Sequence, residues 1–370
     1  RSGRRRFERK GRRSRFVTAV RHCRGLRTAI EAVVDTGHAP GAVAARIRPE
    51  ALDLAAAGEA APGEPFTAGH GVAWFSVTKL LTMTATLRAI GDGRLELDDP
   101  ASRWIPEVAA GPRPTVRDLL AHRAGLPDPI PWGWLQPAGA PRRDALDRAK
   151  KSLRRHAPAW WSRGAPDGDP VPRYSNLSYL AVGAVLERAL GVPAHEVLET
   201  TARALGLEAT RCAPSAGGAA GHVPFGSAFD VAMWVGGART VSRGRHGRWR
   251  VLGPVRMDVA AAGGAFGSIG DLAQFGWRWL TGRGLGLARE LRSAAFDEPG
   301  PYALGFGRLG DRRFVHEGSG LGFVARLELD LEREVGWAVV VNRSGRRRPE
   351  WGGLERLASA VRVAPRTLEP

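Results

Sequence analysis

An α/β fold is what this sequence predicts: an antiparallel sheet flanked by helices, drawn from the two ends of the chain, with a mostly helical lobe inserted between them. Three observations predict it. An apolar, strand-like run lies near the start, at 41–47. Further strand-like runs cluster near the end, at 314–316, 322–329 and 336–342. Helix-spaced segments fill the middle, and no segment repeats another.

The elements follow in order. A first helix is placed at 25–36, where Leu26, Ile30, Val33 and Val34 recur on one face. A Pro-Gly turn leads into the strand at 41–47, and a second strand precedes the Gly- and Pro-rich loop 58–72. A helix opens around Trp74-Phe75-Ser76-Val77-Thr78-Lys79, runs to about Ala89 and stops at Ile90-Gly91-Asp92-Gly93. Residues 95–105 read as a short loop around an Asp-Asp-Pro turn. Thr115 caps a further helix, with Asp118 at its third position in the manner of a capping box. Residues 127–172 are an excursion rich in Pro, Gly and Trp, interrupted by a helix at 141–156. A loop from Tyr174 enters an amphipathic helix ended by Gly191. Residues 213–257 are rich in Gly and Arg and show little periodicity. Ser268 opens another helix. In the run 322–329, Phe323, Ala325 and Leu327 alternate with Val324, Arg326 and Glu328. That pattern fits a half-covered sheet, and a terminal helix at 350–362 could cover the second face.

Hydrophobic residues make up 43% of the 370 residues, which is ample for a core and excludes wholesale disorder. The formal net charge is +18, a value that often marks a nucleic-acid or anionic-surface binder. Here arginine is scattered over every segment, so no specific nucleic-acid partner is expected. Only the N-terminus concentrates it, and 1–15 reads as a disordered basic arm ahead of one domain over 16–364. Within that domain, about 25–75 and 263–364 are assigned to the α/β lobe and about 76–262 to the helical one. Cys23 and Cys212 form neither a disulfide framework nor a zinc spacing, and no metal or organic cofactor is expected. No apolar run reaches membrane-spanning length. The absence of an apolar signal core after the basic run leans the expected location to the cytoplasm, though the first residue is Arg1 rather than Met. The sequence does not speak to oligomeric state.

The chemistry concentrates at Ser76 and Lys79. Residues three apart share one face of a helix, so the serine hydroxyl can meet the lysine amine. A serine is a poor nucleophile until a base takes its proton, and a lysine is a base only when burial or nearby charge lowers its pKa. The chain has only four lysines, Lys10, Lys79, Lys150 and Lys151, and uses arginine for positive charge almost everywhere else. Arginine does not deprotonate in a protein and lysine does. On spacing alone, a capping serine followed by a surface lysine fits equally well.

Three further motifs fall into order with this pair: Tyr174-Ser175-Asn176, Ala262-Gly263-Gly264-Ala265-Phe266-Gly267-Ser268, and His316-Glu317-Gly318-Ser319-Gly320. Together with the flanking stretches Gly91 to Pro100 and Leu119 to Pro127, they resemble the serine β-lactamase and penicillin-binding-protein superfamily, nearest its class C-like branch of esterases and D-amino-acid peptidases. The resemblance spans about 25–362 and implies a β-lactamase/transpeptidase-like fold. It also implies roles. Ser76 would be the acylated nucleophile and Lys79 would assist its deprotonation. Tyr174 would shuttle the proton, with its pKa lowered by the Lys79 charge. Asn176 would hydrogen-bond Lys79 and the substrate's acyl amide. His316 would stand first in the strand motif, Gly318 would let substrate lie flat on the strand, and the N–H groups of Ser76 and Ser319 would form the oxyanion hole.

Each residue alone has a plainer reading. Asn176 alone is a helix cap, Tyr174 a half-buried aromatic, His316 a strand-edge histidine, and Arg123, Arg239 and Arg256 are solvated charges. Two departures from the family pattern matter. His316 replaces a lysine, which removes a fixed charge for a substrate carboxylate near pH 7. Glu317 follows where a small hydroxyl residue is usual; it would repel an acidic substrate and could hold His316 protonated. The expected activity is cleavage of a small-molecule ester, amide or β-lactam through an acyl-enzyme, esterase-like rather than an efficient β-lactamase. A D-amino-acid peptidase or D-Ala-D-Ala carboxypeptidase is the alternative enzyme. A catalytically idle or nucleic-acid-binding basic protein is the alternative of another class.

Overall fold

The structure, a computed structural model, describes residues 19–106, 114–128, 134–141, 172–235, 238–344 and 357–364, with 147, 151 and 154 singly. Strand β1 (Ala19–His22), helix α1 (Arg24–Asp35), β2 (Gly41–Arg48) and β3 (Ala51–Ala61) come first, then the two-residue strands β4 (Glu64–Pro65) and β5 (Val72–Ala73). Helices α2 (Thr78–Gly91) and α3 (Val116–Leu120) precede β6 (Leu135–Pro137), α4 (Asn176–Leu190) and α5 (Ala194–Ala204). Next are β7 (Gly221–Pro224), α6 (Ala228–Val235), β8 (Ser242–His246), β9 (Trp249–Leu252), β10 (Val255–Met257), α7 (Ala260–Gly263) and β11 (Phe266–Gly267). Helices α8 (Ile269–Thr281) and α9 (Arg289–Asp297) lead to β12 (Gly307–Gly310), β13 (Arg313–Gly320), β14 (Phe323–Asp330) and β15 (Val335–Val341). A last helix, α10, covers 357–363.

The main sheet runs β1-β3-β2-β15-β14-β13-β12, with β4 beside β3. Only the β1–β3 pair is parallel; the rest are antiparallel. Strand β15 joins the two ends of the chain, with Val339 opposite Ala44 on one side and Arg326 on the other. The alternating runs of the sequence thus end in one sheet. Its inner face, carrying Val43, Ala45, Ile47, Leu327, Leu329 and Val340, packs on Leu272 and Phe275 of α8 and continues into the helical core. Its outer face, with Ala42, Ala44, Trp337 and Val339, is covered by Leu26 and Ile30 of α1 and by Leu357 and Val361 of α10.

The sheet is therefore covered on both faces, and β14 is buried along its whole length. Its charged positions stay charged by pairing. Arg326 bonds Glu317 at 2.7 Å and Glu328 at 2.8 Å, and Glu328 also accepts from Arg313 at 2.8 Å and Arg362 of α10 at 2.5 Å. Burial works against the Glu328 carboxylate, but bonds from Arg313, Arg326 and Arg362 hold its pKa below the usual range. Arg46 donates to the carbonyls of Val361 and Ala364 and so closes the end of α10.

Several sequence expectations change. Residues 213–257 form a three-stranded sheet, β7-β9-β8, and β10 pairs with β6. These strands hold three to five residues each, too short for alternation to stand out from an Arg- and Gly-rich background. The inserted region is thus not purely helical. Strands β1 and β12 and helices α5 and α9 were not marked by periodicity, and residues 101–103 form a 3-10 turn inside the expected loop. Arg256 is buried on the carbonyls of Ala138 and Ala140 and on Asp258, and Arg123 bonds Glu298, so neither is a solvated charge. The arm 1–15 and most of the helix at 141–156 lie outside the described residues. No single helix among the described residues is long and apolar enough to cross a membrane.

Removing one partner from a buried ion network leaves the others uncompensated. Glu328→Gln is expected to destabilise the protein by about 3 kcal/mol in denaturant titration at pH 7. Because the folded carboxyl titrates below its unfolded value, this contribution should be present above the unfolded pKa and fade as pH falls through the folded one.

Candidate active site

Helix α2 is buried on nearly every side, and its composition shows how a buried helix avoids charge. Thr82, Thr84 and Thr86 return their hydroxyls to carbonyls four residues earlier. Lys79 is the exception: it is the ionisable side chain among the buried positions of α2, with no exposed surface. Just before it, Phe75–Val77 form a 3-10 turn that carries Ser76. Phe75 sits in the left-handed region at φ +44°, a strain of roughly 1–3 kcal/mol that surrounding contacts must offset.

Strand β13 supplies those contacts. A Cβ on Gly320 would fall 2.3 Å from the Phe75 ring, and one on Gly318 would fall 2.1 Å from the Trp74 carbonyl oxygen and 2.9 Å from the Ser76 nitrogen. The glycines of the His316-Glu317-Gly318-Ser319-Gly320 motif thus make room for the turn that holds Ser76. This differs from the expectation that Gly318 clears space for substrate.

The Lys79 amine meets three oxygens: Ser76 Oγ at 3.0 Å, Asn176 Oδ1 at 2.7 Å and the Ala262 carbonyl at 2.6 Å. The last is what the Gly263-Gly264 motif contributes. Tyr174 Oη donates to Ser76 Oγ at 2.7 Å. Asn176 opens α4, whose N-cap Ser175 accepts from the Ser178 N–H and donates to the Pro127 carbonyl. Asn176 Nδ2 and backbone N–H both donate to Asp128 Oδ1, at 2.7 and 3.0 Å. This fixes which end of the amide faces Lys79. It also takes up one of the two N–H bonds of Nδ2 and leaves the other for the substrate.

Burial lowers the Lys79 pKa from 10.5 to about 7, with the Asp128 charge opposing the shift. A neutral amine has two N–H donors and one lone pair. Asn176 Oδ1 and Ala262 O only accept, so in the neutral form the lone pair is left for the Ser76 proton. Lys79 is therefore not a surface lysine. Tyr174 departs from expectation: burial raises its pKa, the Ser76 bond only partly opposes this, and Asp128 adds to it. The phenol keeps its proton. His316 carries no fixed charge, as its standing in the motif place of a lysine implies. Burial and the neighbouring Lys79 push it down to about 3, and its Nδ1 bonds the Gly305 carbonyl at 2.5 Å. It is neutral across the physiological range, with Nδ1 as the donor. Glu317 does not hold it protonated, since that carboxylate pairs with Arg326.

Ser76, Tyr174, Asn176, His316 and Ser319 line one cavity of about 440 Å³, with Tyr302, Gly307, Val315 and Glu317 completing the wall. Gly318 lies behind it, against the turn. Strand β12 pairs with β13 only as far as Val315, so the stretch from His316 to Ser319 is beyond its cover. Sequence reasoning missed three contributors. His122, at φ +57°, stacks on Tyr174, Tyr179 and Tyr302 at ring separations of 4.7–5.2 Å and accepts the Ser175 N–H. Tyr302 and Asp128 are the others. Only the position of Asp128 after Gly125-Leu126-Pro127 hinted at it. Among the described residues no group of three or more His, Cys, Asp or Glu is placed to hold a metal.

The family model described as Beta-lactamase matches residues 26–360. Esterase EstB of Burkholderia gladioli is 36% identical over 133 residues, 32% of this chain and 32% of that protein. The D-alanyl-D-alanine-carboxypeptidase/endopeptidase AmpH of Escherichia coli (strain K12) is 28% identical over 147 residues, 38% of this chain and 36% of that one. The match thus spans about a third of the length of these curated relatives. Among solved structures, D-amino acid amidase from Ochrobactrum anthropi SV3 complexed with D-phenylalanine aligns with a TM-score of 0.71 at 21% identity, covering 92% of this chain and 99% of that one. A class C beta lactamase from Rhodobacter sphaeroides aligns at 0.65 and 18%, covering 92% and 99%. These structures establish the fold, which is the one the sequence predicts.

Gly318→Ala should push its methyl group into the Trp74 carbonyl and displace Ser76. A fall of at least tenfold in kcat/KM for an activated ester is expected, together with a lower melting temperature; an unchanged kcat/KM would separate the glycine from the position of the serine.

Proposed function

The chain belongs to the beta-lactamase family, and from that premise we propose that it is a serine hydrolase that cleaves an ester or amide through a Ser76 acyl-enzyme. One observation carries the reading: Ser76 Oγ is bonded at once by the Lys79 amine and the Tyr174 phenol. Ser76 Oγ attacks the acyl carbon and its proton passes to neutral Lys79 Nζ. The new Oγ–C bond forms as the carbonyl becomes an oxyanion, held by the backbone N–H groups of Ser76 and Ser319. Collapse breaks the C–O or C–N bond to the leaving group. That group takes a proton from Tyr174 Oη, and the Lys79 ammonium restores it to the phenolate. Water then adds to the acyl-enzyme by the reverse sequence, releasing the acid and returning the proton to Ser76.

The wall of the cavity favours a neutral leaving group. No arginine or lysine is among its described residues, His316 is neutral, and Glu317 is present. A carboxypeptidase or penicillinase needs a cation for the substrate carboxylate, so an esterase or amidase fits better. The alternative of an idle or nucleic-acid-binding protein leaves the Ser76–Lys79–Tyr174 arrangement without a purpose.

Intact-mass analysis after a fluorophosphonate should find one adduct on the wild type, mapping to Ser76, and none on Ser76→Ala. An equal adduct on the variant sinks the reading.

Lys79 must be neutral to act, so kcat/KM for a neutral ester should rise with pH through a midpoint near 7. Lys79→Met should lower kcat/KM by on the order of 10²-fold or more and abolish that limb. A variant that kept the limb would assign it to another group.

A further inference from the structure

Helix α6 is inverted relative to an ordinary surface helix, which turns its polar residues to water. Its one charged residue, Asp230, is only 2% exposed. It is held inside by the Gly226 N–H at 2.9 Å and by the Arg250 guanidinium. Ala228, Val231, Ala232 and Trp234 are the exposed positions instead. Seven large apolar side chains are exposed among the described residues, and three of them, Phe225, Val231 and Trp234, lie in this helix or just before it. They include both aromatic ones. Single exposed apolar residues need no explanation, but a cluster marks a contact surface.

Positive charge borders the cluster. Arg245 stacks on Phe225 at 4.6 Å from the ring centre, and Arg250 stacks on Phe225 at 4.9 Å and on Trp234 at 4.5 Å. Asp230 neutralises Arg250. Arg243, Arg245 and Arg248, on the hairpin of β8 and β9, are exposed and have no carboxylate partner among the described residues. The hairpin is not a loose flap, because β9 pairs with β7, whose His222 N–H donates to the Gly322 carbonyl in the turn after β13 at 3.3 Å.

These features select among occupants. Single-stranded nucleic acid binds by stacking bases on open aromatic faces, and guanidinium groups already stack on both rings. A second copy packed on the same patch would oppose arginine to arginine. An anionic bilayer matches both halves of the surface: apolar side chains enter the acyl boundary, tryptophan settles among the headgroups, and arginines meet the lipid phosphates.

We propose that α6 and the β8–β9 hairpin dock the protein peripherally on an anionic lipid surface, with Val231 and Trp234 entering the interface and Arg243, Arg245 and Arg248 contacting phosphates. The inference goes beyond the hydrolase reading and does not rest on it.

The test sediments the full chain with vesicles of phosphatidylcholine alone and of phosphatidylcholine mixed equally with phosphatidylglycerol. The mixed vesicles should be bound at least tenfold more tightly. A net charge of +18 would draw any part of the surface toward them, so a charge-matched pair of variants decides. Arg243→Ser/Arg245→Ser/Arg248→Ser should lose at least tenfold in apparent affinity. Arg283→Ser/Arg289→Ser/Arg312→Ser removes three equally exposed charges elsewhere and should lose far less. Equal losses in the two, or equal binding of both vesicle types by the wild type, overturn the proposal. Insertion is read separately. Both native cysteines are buried, so Val231→Cys takes an environment-sensitive fluorophore at one place. Its emission should shift to the blue on mixed vesicles; an unshifted emission overturns the proposal, and this measurement decides alone if the arginine variant does not fold. Two other results also overturn it. Retention of the wild type on polyuridylate without binding to vesicles would assign the patch to nucleic acid, and a dimer that Val231→Asp dissociates would assign it to a second copy.

Discussion

The buried amine of Lys79 is the constraint on which the rest of the site depends. A lysine with no exposed surface and a pKa moved from 10.5 to about 7 prefers its neutral form by roughly 5 kcal/mol relative to water. Burial alone would leave such a group idle. Here its N–H bonds have two fixed acceptors, and its lone pair is directed at a serine by elimination. Those acceptors come from separate parts of the chain, the start of α4 and the end of α7. The site is therefore a junction of elements rather than a property of one helix, although the Ser-x-x-Lys spacing lies wholly within one.

Backbone strain is distributed around the same junction. Phe75 and His122 both sit at positive φ, and neither is a glycine. Phe75 is held by the absence of side chains on β13, and His122 by three aromatic rings and the Ser175 N–H. The two positions flank Ser76 and Tyr174, whose relative placement has to be held to a few tenths of an ångström for proton transfer. Both strained residues are thus braced by the strand and the aromatic cluster that carry or contact the reacting groups.

Much of this was legible in the sequence. The order of Ser76, Lys79, Tyr174, Asn176 and His316 could be read because short motifs need particular residue types at particular spacings. The helix starts at Thr115 and Ser268 were legible because their caps are local, and the structure bears out both. What could not be read depends on distance through space. The protonation of Tyr174 and His316 follows from burial, which no local pattern reports: the expected lowering of the Tyr174 pKa was reversed, and Glu317 does not keep His316 charged. Asp128 carries no motif; its importance arises only when α4 folds against the loop that contains it. The strands of 213–257 failed for a related reason, since a strand of three to five residues is defined by its partner rather than by its own alternation.

The position of β15 bears on how the site comes into being. It pairs on one side with β2 and on the other with β14, so strands from opposite ends of the chain are neighbours. Contacts this remote in sequence form late, because the intervening chain must first surrender its loop entropy. A ribosome adding roughly 5–20 residues per second would expose Ser76 and Lys79 well before β13 exists to brace their turn. During that interval β2 has an open edge, rich in alanine, where β15 will later lie. An open edge of that kind is a surface on which chains pair with one another. Nascent chains are thus most exposed to self-association in the window before β15 emerges, and the turn that carries Ser76 is braced only once β13 has been made.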